Sequence, residues 1–343
     1  MRGMSRWRSG RKVPRRRWAR LRGERGKEMK MRPRTMLCAV LIGLAPADGV
    51  GNFCGIAQGR EPREKAGSKP AVVRDLMWVW GNPEMAREGE HTVASFAQAS
   101  PAQRARLLGV PNIVMAGLGV PRDDDEADAI AKPVGQFKRL VWEIAPDHES
   151  AGPPFDYQAR LAQVRRLVDN YPQSEGVLLD DLSTLGIDRG LKPEHIRRVR
   201  ELLGGKYRSV KVWGVVYTMS LGRQGIAEYV KELDGIHLWT WHAKDVVDLE
   251  RNVERCERLF PRKPIVLGLY LYDYGGGRRM PLDLLEAQCH TALRLAHAGR
   301  IQGIVFLTIT NDAEAVGWTS DWIKQVGDQR LGSRSERSGA GRE

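Results

Sequence analysis

The stretch "EGVLLDDLST" (residues 175–184) contains an apolar run, residues 176–179, that ends at the adjacent acids Asp180 and Asp181. A short apolar run of this kind is typical of a fully buried strand. Two neighbouring carboxylates repel each other unless a partner, a metal or a substrate interacts with them. The stretch therefore predicts a buried strand whose end carries a candidate functional site.

Seven other runs have the same character, and amphipathic segments separate them. The eight predicted strands are residues 71–80, 112–118, 138–144, 176–181, 209–217, 235–241, 264–273 and 302–310. Segments with helical periodicity include residues 157–171, 192–203, 247–260, 284–298 and 312–327. Strands that alternate with helices over residues 70–328 predict an α/β fold, a single (β/α)₈ TIM barrel. A doubly wound sheet is disfavoured because no glycine-rich nucleotide loop follows the first strand.

The positive charge of the chain is concentrated at its start. The formal net charge is +13, and residues 1–47 hold fifteen Lys or Arg and two Glu. The rest of the chain is therefore electrically balanced and offers no basic surface that would follow a phosphate backbone. We expect no nucleic acid partner. A basic nucleic-acid-binding arm at residues 1–28 is the alternative interpretation of this segment.

Residues 29–47 have the three parts of a signal peptide. The basic segment MKMRPRT precedes the apolar segment MLCAVLIGLA, and Ala45-Pro46-Ala47 matches a cleavage site. The apolar segment is shorter than the roughly 20 residues of a membrane-spanning helix, so no membrane span is expected. We therefore predict a secreted or periplasmic protein, with Met29 favoured over Met1 as its start. The remaining predicted segments are an untranslated basic extension (1–28), a linker (48–69) and a disordered tail (329–343).

Carboxylates end three of the predicted strands. In a TIM barrel the working face lies at the C-terminal ends of the strands. Glu143 ends the third strand, Asp180 and Asp181 the fourth, and Asp273 the seventh. Because side chains alternate along a strand, at most one of the adjacent acids aims directly into the barrel, and the sequence does not decide which. We expect Asp180 or Asp181 to form a catalytic pair with Asp273. Glu143 is the reserve, or else a structural partner of Arg139.

Aromatic residues are concentrated near the same strand ends. An indole or phenol ring can stack on a sugar ring while polar groups bind its hydroxyls. The candidate substrate-binding residues are Trp80, Asn82, Tyr217, Trp239, Trp241, His242, Tyr270, Tyr272, Arg278 and Thr308. Arg278 lies in the segment YGGGRR and could hold an anionic group. The alternative interpretation is that about half of the aromatic residues pack the barrel and that this segment is a solvated loop.

No motif in the sequence indicates a cofactor. There is no HExxH pattern, no G-x-S-x-G elbow and no P-loop. We therefore expect neither a cofactor nor a metal. A metal-dependent barrel hydrolase is a further alternative, with Asp147, Asp180 and Asp181 as oxygen ligands.

A secreted (β/α)₈ barrel with carboxylates at the ends of strands four and seven and Trp-rich strand ends resembles the large barrel clans of glycoside hydrolases. The resemblance covers roughly residues 70–328 and lies in the architecture, not in a signature. Those families usually carry Glu at both strand ends, whereas this chain has Asp180-Asp181 and Asp273. The resemblance implies a hydrolase of glycosidic bonds in a polysaccharide or glycoconjugate. The alternative is a non-catalytic barrel that binds glycan.

Overall fold

Eight parallel strands close into a barrel in which every strand pairs with its neighbours in sequence and the last pairs with the first. The computed structural model gives the barrel strands as β1 Met77–Gly81, β2 Asn112–Met115, β3 Arg139–Glu143, β4 Ser174–Leu179, β5 Lys211–Tyr217, β6 Gly235–Trp239, β7 Ile265–Tyr270 and β10 Gly303–Leu307. A small antiparallel hairpin, β8 Tyr272–Asp273 with β9 Arg278–Arg279, follows β7. The predicted TIM barrel is confirmed.

The structure describes residues 72–82, 89–116, 124–144, 157–310 and 312–332. The predicted basic extension, signal peptide and linker lie outside these residues, as do Asp147 and most of the predicted tail. Within the described part of the chain, Val72 and Arg330 form a bridge that brings its two ends together. No helix among these residues is long and apolar enough to cross a membrane.

Helices follow the strands and cover the outside of the barrel. Their bounds are α1 Pro101–Leu108, α2 Asp124–Ala131, α3 Gln158–Asn170, α4 Pro193–Leu202, α5 Ile226–Lys231, α6 Leu249–Leu259, α7 Leu282–His297 and α8 Ala313–Val326. The apolar side of α6 shows how they attach, because Leu249, Val253 and Cys256 are buried while the intervening Glu and Arg face outward. The five helices predicted from periodicity are all present, within about two residues at each end.

Most predicted strands differ from the observed ones at one or both ends, as three examples show. The first begins at Met77 because Val73–Leu76 form a 3₁₀ turn. The fourth ends at Leu179, so Asp180 and Asp181 lie beyond it. The seventh run is divided at Leu271, and its last part forms the hairpin strand β8.

Indole rings fill the inside of the barrel, and glycines on neighbouring strands make room for them. A Cβ on Gly235 would overlap the ring of Trp213, and one on Gly268 would overlap the ring of Trp239. Trp80 on β1 also contacts Trp239 on β6, with ring centroids 5.4 Å apart. Since β1 and β6 are not neighbours, this contact crosses the barrel interior and fixes which face of each strand points inward.

The Gly268–Trp239 contact gives a prediction about stability. Gly268→Ala should destabilise the fold by roughly 1–3 kcal/mol, because the added methyl group must displace a buried indole ring. Gly317→Ala on α8 is the matched control, since the nearest atom to its Cβ is 3.9 Å away. That change should leave the free energy of unfolding unchanged or raise it by about 0.5–1 kcal/mol. Urea denaturation of both variants provides the measurement, and equal effects would contradict the packing described here.

Candidate active site

Carboxylates from β3 and β4 meet at the mouth of the barrel, the end at which the strands terminate. Glu143 is the last residue of β3 and is buried. Asp180 shares a side of β4 with Gly176, and a Cβ on Gly176 would contact the inward-facing Trp213. Alternation therefore directs Asp180 into the barrel.

Asp181 also reaches the inner wall, although alternation predicted that it would point away. The strand ends at Leu179, and the backbone of Asp181 is left-handed, with φ 46° and ψ 23°. This conformation costs a non-glycine residue about 1–2 kcal/mol. It brings Asp181 Oδ1 within 2.5 Å of the Tyr217 hydroxyl, which donates a hydrogen bond to it. The backbone N–H of Asp181 in turn donates to Asp180 Oδ1 at 2.7 Å.

The environment of Asp180 favours its protonated form. Burial of its carboxyl group raises the pKa well above its usual range, and the negative charges of Asp181 and Glu143 raise it further. The hydrogen bond from the Asp181 N–H lowers the pKa but does not offset these effects. The residue as a whole still keeps some exposed surface. The carboxyl group of Asp180 therefore lies in buried surroundings that favour its protonated form.

Four of the predicted substrate-binding aromatic residues are buried and form a floor beneath the acids. The exposed fractions of Trp80, Tyr217, Trp239 and Tyr270 are 5%, 5%, 2% and 5%. Trp239 and Tyr270 lie against each other with ring centroids 4.8 Å apart. Since their faces are occupied by neighbouring rings, these four residues cannot serve as open stacking surfaces for sugars. We call them the aromatic floor.

Three further rings at the mouth keep exposed surface, and we call them the aromatic rim. Trp241, Tyr272 and Tyr274 are each partly exposed. The Tyr274 ring lies 5.9 Å from Trp241 and 5.2 Å from Tyr272, measured between centroids. Trp241 also lies over Tyr217 of the floor, at 5.6 Å. The rim therefore offers the accessible aromatic faces of the site.

Asp273 is held by hydrogen bonds within the loops and does not pair with the other acids. Its Oδ1 accepts hydrogen bonds from the N–H groups of Ala243 and Gly276, and its Oδ2 pairs with Arg278 Nε at 3.0 Å. Burial alone would raise the pKa of Asp273, but these three donors lower it overall. The carboxylate therefore connects the hairpin to the loop after β6. Arg278 is engaged in the same connection, so neither residue is placed as the sequence predicted.

The remaining predicted residues have varied surroundings. Thr308 is fully buried and donates to the backbone carbonyl of Trp80, which makes it part of the wall. Asn82 follows β1 and is partly exposed. The partly exposed imidazole of His242 lies against the backbone of Gly275. Asn82 and His242 are thus the predicted polar side chains that keep accessible surface at the mouth.

Sequence reasoning missed three residues that shape the site. Tyr274 completes the rim and donates to the carbonyl of Ile309. Ser183 accepts the backbone N–H of Tyr217 and so connects the end of β5 to the turn that carries Asp181. The buried Arg160 of α3 donates to the backbone carbonyl of Glu143. The sequence signalled only one of these three residues: Arg160 is a charged side chain on the apolar side of a predicted helix.

The proposed metal ligands are only partly described. Asp147 lies outside the described residues. Within residues 72–332, apart from the undescribed gaps, no group of three or more His, Cys, Asp or Glu side chains has an arrangement suited to a metal ion. Arg139, the alternative partner of Glu143, instead pairs with Glu175 through two hydrogen bonds of 2.7 and 2.8 Å.

The raised pKa of Asp180 has a measurable effect on stability. A group whose pKa is higher in the fold than in the unfolded chain stabilises the protein below the unfolded pKa, about 3.9 for Asp, and loses that contribution as the pH rises. Asp180→Asn should therefore raise the stability at pH 7 and have much less effect near pH 4. Thermal unfolding should show a Tm increase of about 2–4 °C for each kcal/mol gained.

The control for this prediction is Asp321→Asn, at an aspartate whose side chain is 78% exposed and pairs with Lys324. Its effect on Tm should be small at both pH values. The assigned environment would be contradicted if the increase in Tm caused by Asp180→Asn were smaller at pH 7 than at pH 4.

Comparisons with known proteins found similar solved structures and no matching family. No family model and no curated protein sequence matches it. A chitinase catalytic domain from Pyrococcus furiosus is 12% identical, with a TM-score of 0.45, over 75% of this chain and 98% of that one. The spore cortex-lytic enzyme SleL of Bacillus cereus is 12% identical, with a TM-score of 0.49, over 74% and 75%.

A β-glucuronidase from Bacteroides uniformis is 14% identical, with a TM-score of 0.46, over 69% of this chain and 30% of that one. A tryptophan synthase α-subunit also matches. Identities at this level show the fold alone. The strand pairing shows a (β/α)₈ barrel, and glycoside hydrolases are among the solved structures that the comparison matched to it.

Proposed function

We propose that this protein hydrolyses glycosidic bonds and that its catalytic groups come from Glu143, Asp180 and Asp181. The observation that carries the proposal is the pairing of unlike carboxyl groups at the mouth of the barrel. Burial and neighbouring charge raise the pKa of Asp180, while its neighbour Asp181 accepts a hydrogen bond from Tyr217. Two carboxyl groups in unlike environments are what a glycosidic bond needs for an acid and for a base or nucleophile.

The aromatic rim supports a carbohydrate substrate. Trp241, Tyr272 and Tyr274 keep exposed ring surface beside the acids, and such rings stack on the CH faces of sugars. Asn82 and His242 add polar groups for hydroxyls at the same end of the barrel. The substrate class we propose is therefore a polysaccharide or glycoconjugate that lies across the rim. If residues 29–47 act as a signal peptide, the enzyme meets this substrate outside the cytoplasm.

A glycan-binding barrel without catalysis is the second candidate. It is favoured by the engagement of Asp273 with Arg278, because an acid occupied by an arginine serves the loop structure and not a reaction. In that case the rim would bind a glycan and the three mouth acids would bind its hydroxyls. Measured turnover separates the two functions.

The first experiment incubates the purified protein with neutral and anionic oligosaccharides and measures the release of reducing ends. Asp180→Asn should lower kcat/KM by about 10²–10⁴-fold, because the amide cannot donate a proton to the leaving oxygen. The matched control Asp321→Asn should keep the full rate, since Asp321 lies on the surface of α8.

Calorimetric binding with the same oligosaccharides decides the remaining outcomes. Binding without turnover would favour the glycan-binding barrel. Turnover that Asp180→Asn leaves unchanged would exclude the carboxyl group on which the proposal rests.

A further inference from the structure

Two hydrogen bonds connect Tyr217, at the end of β5, to the turn after β4 that contains Asp181 and Ser183. The Tyr217 hydroxyl donates to Asp181 Oδ1 at 2.5 Å, and the Tyr217 backbone N–H donates to Ser183 Oγ at 3.0 Å. Ser183 is fully buried and lies two residues after Asp181. The end of β5 is therefore fixed to the turn after β4 through both its backbone and its side chain.

Tyr270 at the end of β7 is buried at the same end of the barrel and packs against Trp239 and Trp241. A hydrogen bond to a negative oxygen is stronger than one between neutral groups. The Tyr217 hydroxyl is therefore a donor that favours a carboxylate at Asp181.

The surroundings of the Asp180 carboxyl group differ from those of Asp181, because it is buried beside two other acids. The hydrogen bond recorded at its carboxyl group is the one from the Asp181 N–H. The strained backbone of Asp181, with φ 46°, is what allows its own carboxylate to turn toward Tyr217 instead. A non-glycine residue in this conformation is found mostly where surrounding contacts or function require it. The two adjacent acids are thus made unlike by the local geometry.

We propose that Tyr217 is a positioning residue that holds Asp181 as the ionised member of the pair and leaves the shared proton on Asp180. This assigns Asp180 as the general acid and Asp181 as the base or nucleophile, and it rests on the proposed function. The other ionisable groups that face the pair are Glu143 from β3 and Tyr270 from β7. Arg160 of α3 lies behind Glu143 and offsets its charge.

The assigned reaction is balanced in protons and bonds. The proton on Asp180 moves to the glycosidic oxygen as the bond from that oxygen to the anomeric carbon breaks. One water molecule supplies the new oxygen on the anomeric carbon, either directly or after Asp181 has formed an ester, and its released proton returns to the pair. One water is consumed, and the two carboxyl groups end with the single proton with which they began.

The test compares Tyr217→Phe with Tyr207→Phe. Tyr207 is a matched control because its hydroxyl also donates to an aspartate, Asp169, at 2.8 Å, but on the surface. In the pH profile of kcat/KM, loss of the Tyr217 hydroxyl should move the acid limb up by about 1–2 pH units, as expected for a hydrogen bond to a charged group. The control should leave the profile unchanged.

Carbon-13 NMR titration of the Asp carboxyl groups gives a readout that does not need turnover. The lower of the two midpoints of the Asp180–Asp181 pair should rise in Tyr217→Phe and stay in place in Tyr207→Phe. Asp180→Asn and Asp181→Asn identify the two signals. If the protein cleaves no glycan but the midpoint moves, the proposed function fails and the positioning role stands.

A second substitution covers the case in which Tyr217→Phe does not fold. Ser183→Ala removes the hydroxyl that accepts the Tyr217 backbone N–H and keeps the Tyr217 hydroxyl, so the same midpoint should rise by a smaller amount. Midpoints that match the unsubstituted protein in both variants, or a lower midpoint that belongs to Asp180, would overturn the assignment.

Discussion

The inward packing of indole rings against glycines is the constraint on which the rest of the site depends. Trp213 and Trp239 can lie inside the barrel because Gly235 and Gly268 leave their volume free. The same rings close the barrel below the mouth, where the carboxyl group of Asp180 is buried. A charge in such surroundings is poorly solvated, so core packing and proton affinity have one physical cause.

Most of the fold could be predicted because the period of apolar residues is a local property. All eight strands and the five periodic helices were found from the spacing of side chains alone. The ends were less predictable, since an apolar residue can be buried outside a strand. Leu271 is fully buried although it separates β7 from the hairpin, and its side chain extended the apparent strand to Asp273.

The candidate site was predictable only where its residues stay within a regular strand. Glu143 ends β3, where the alternation of side chains still applies. Asp181 lies two residues past the end of β4, where the backbone turns and alternation no longer applies. The bonds of Asp273 involve Ala243, which is thirty residues away in sequence, so no local pattern could indicate them. The four residues of the aromatic floor were predicted to bind substrate and are buried for a similar reason, because rings from separate strands cover one another.

The Asp273 carboxylate also bears on how this barrel could be altered. It holds the N–H of Ala243 in the turn after β6 and the N–H of Gly276 in the hairpin after β7. Trp241 and Tyr274 lie on either side of this connection and contact each other. The turn after β6 and the hairpin after β7 are therefore connected to each other through Asp273. Replacing the turn after β6 alone would alter the donor at Ala243, and replacing the hairpin alone would remove the carboxylate that this donor needs. A change of substrate range by loop exchange therefore requires both loops together.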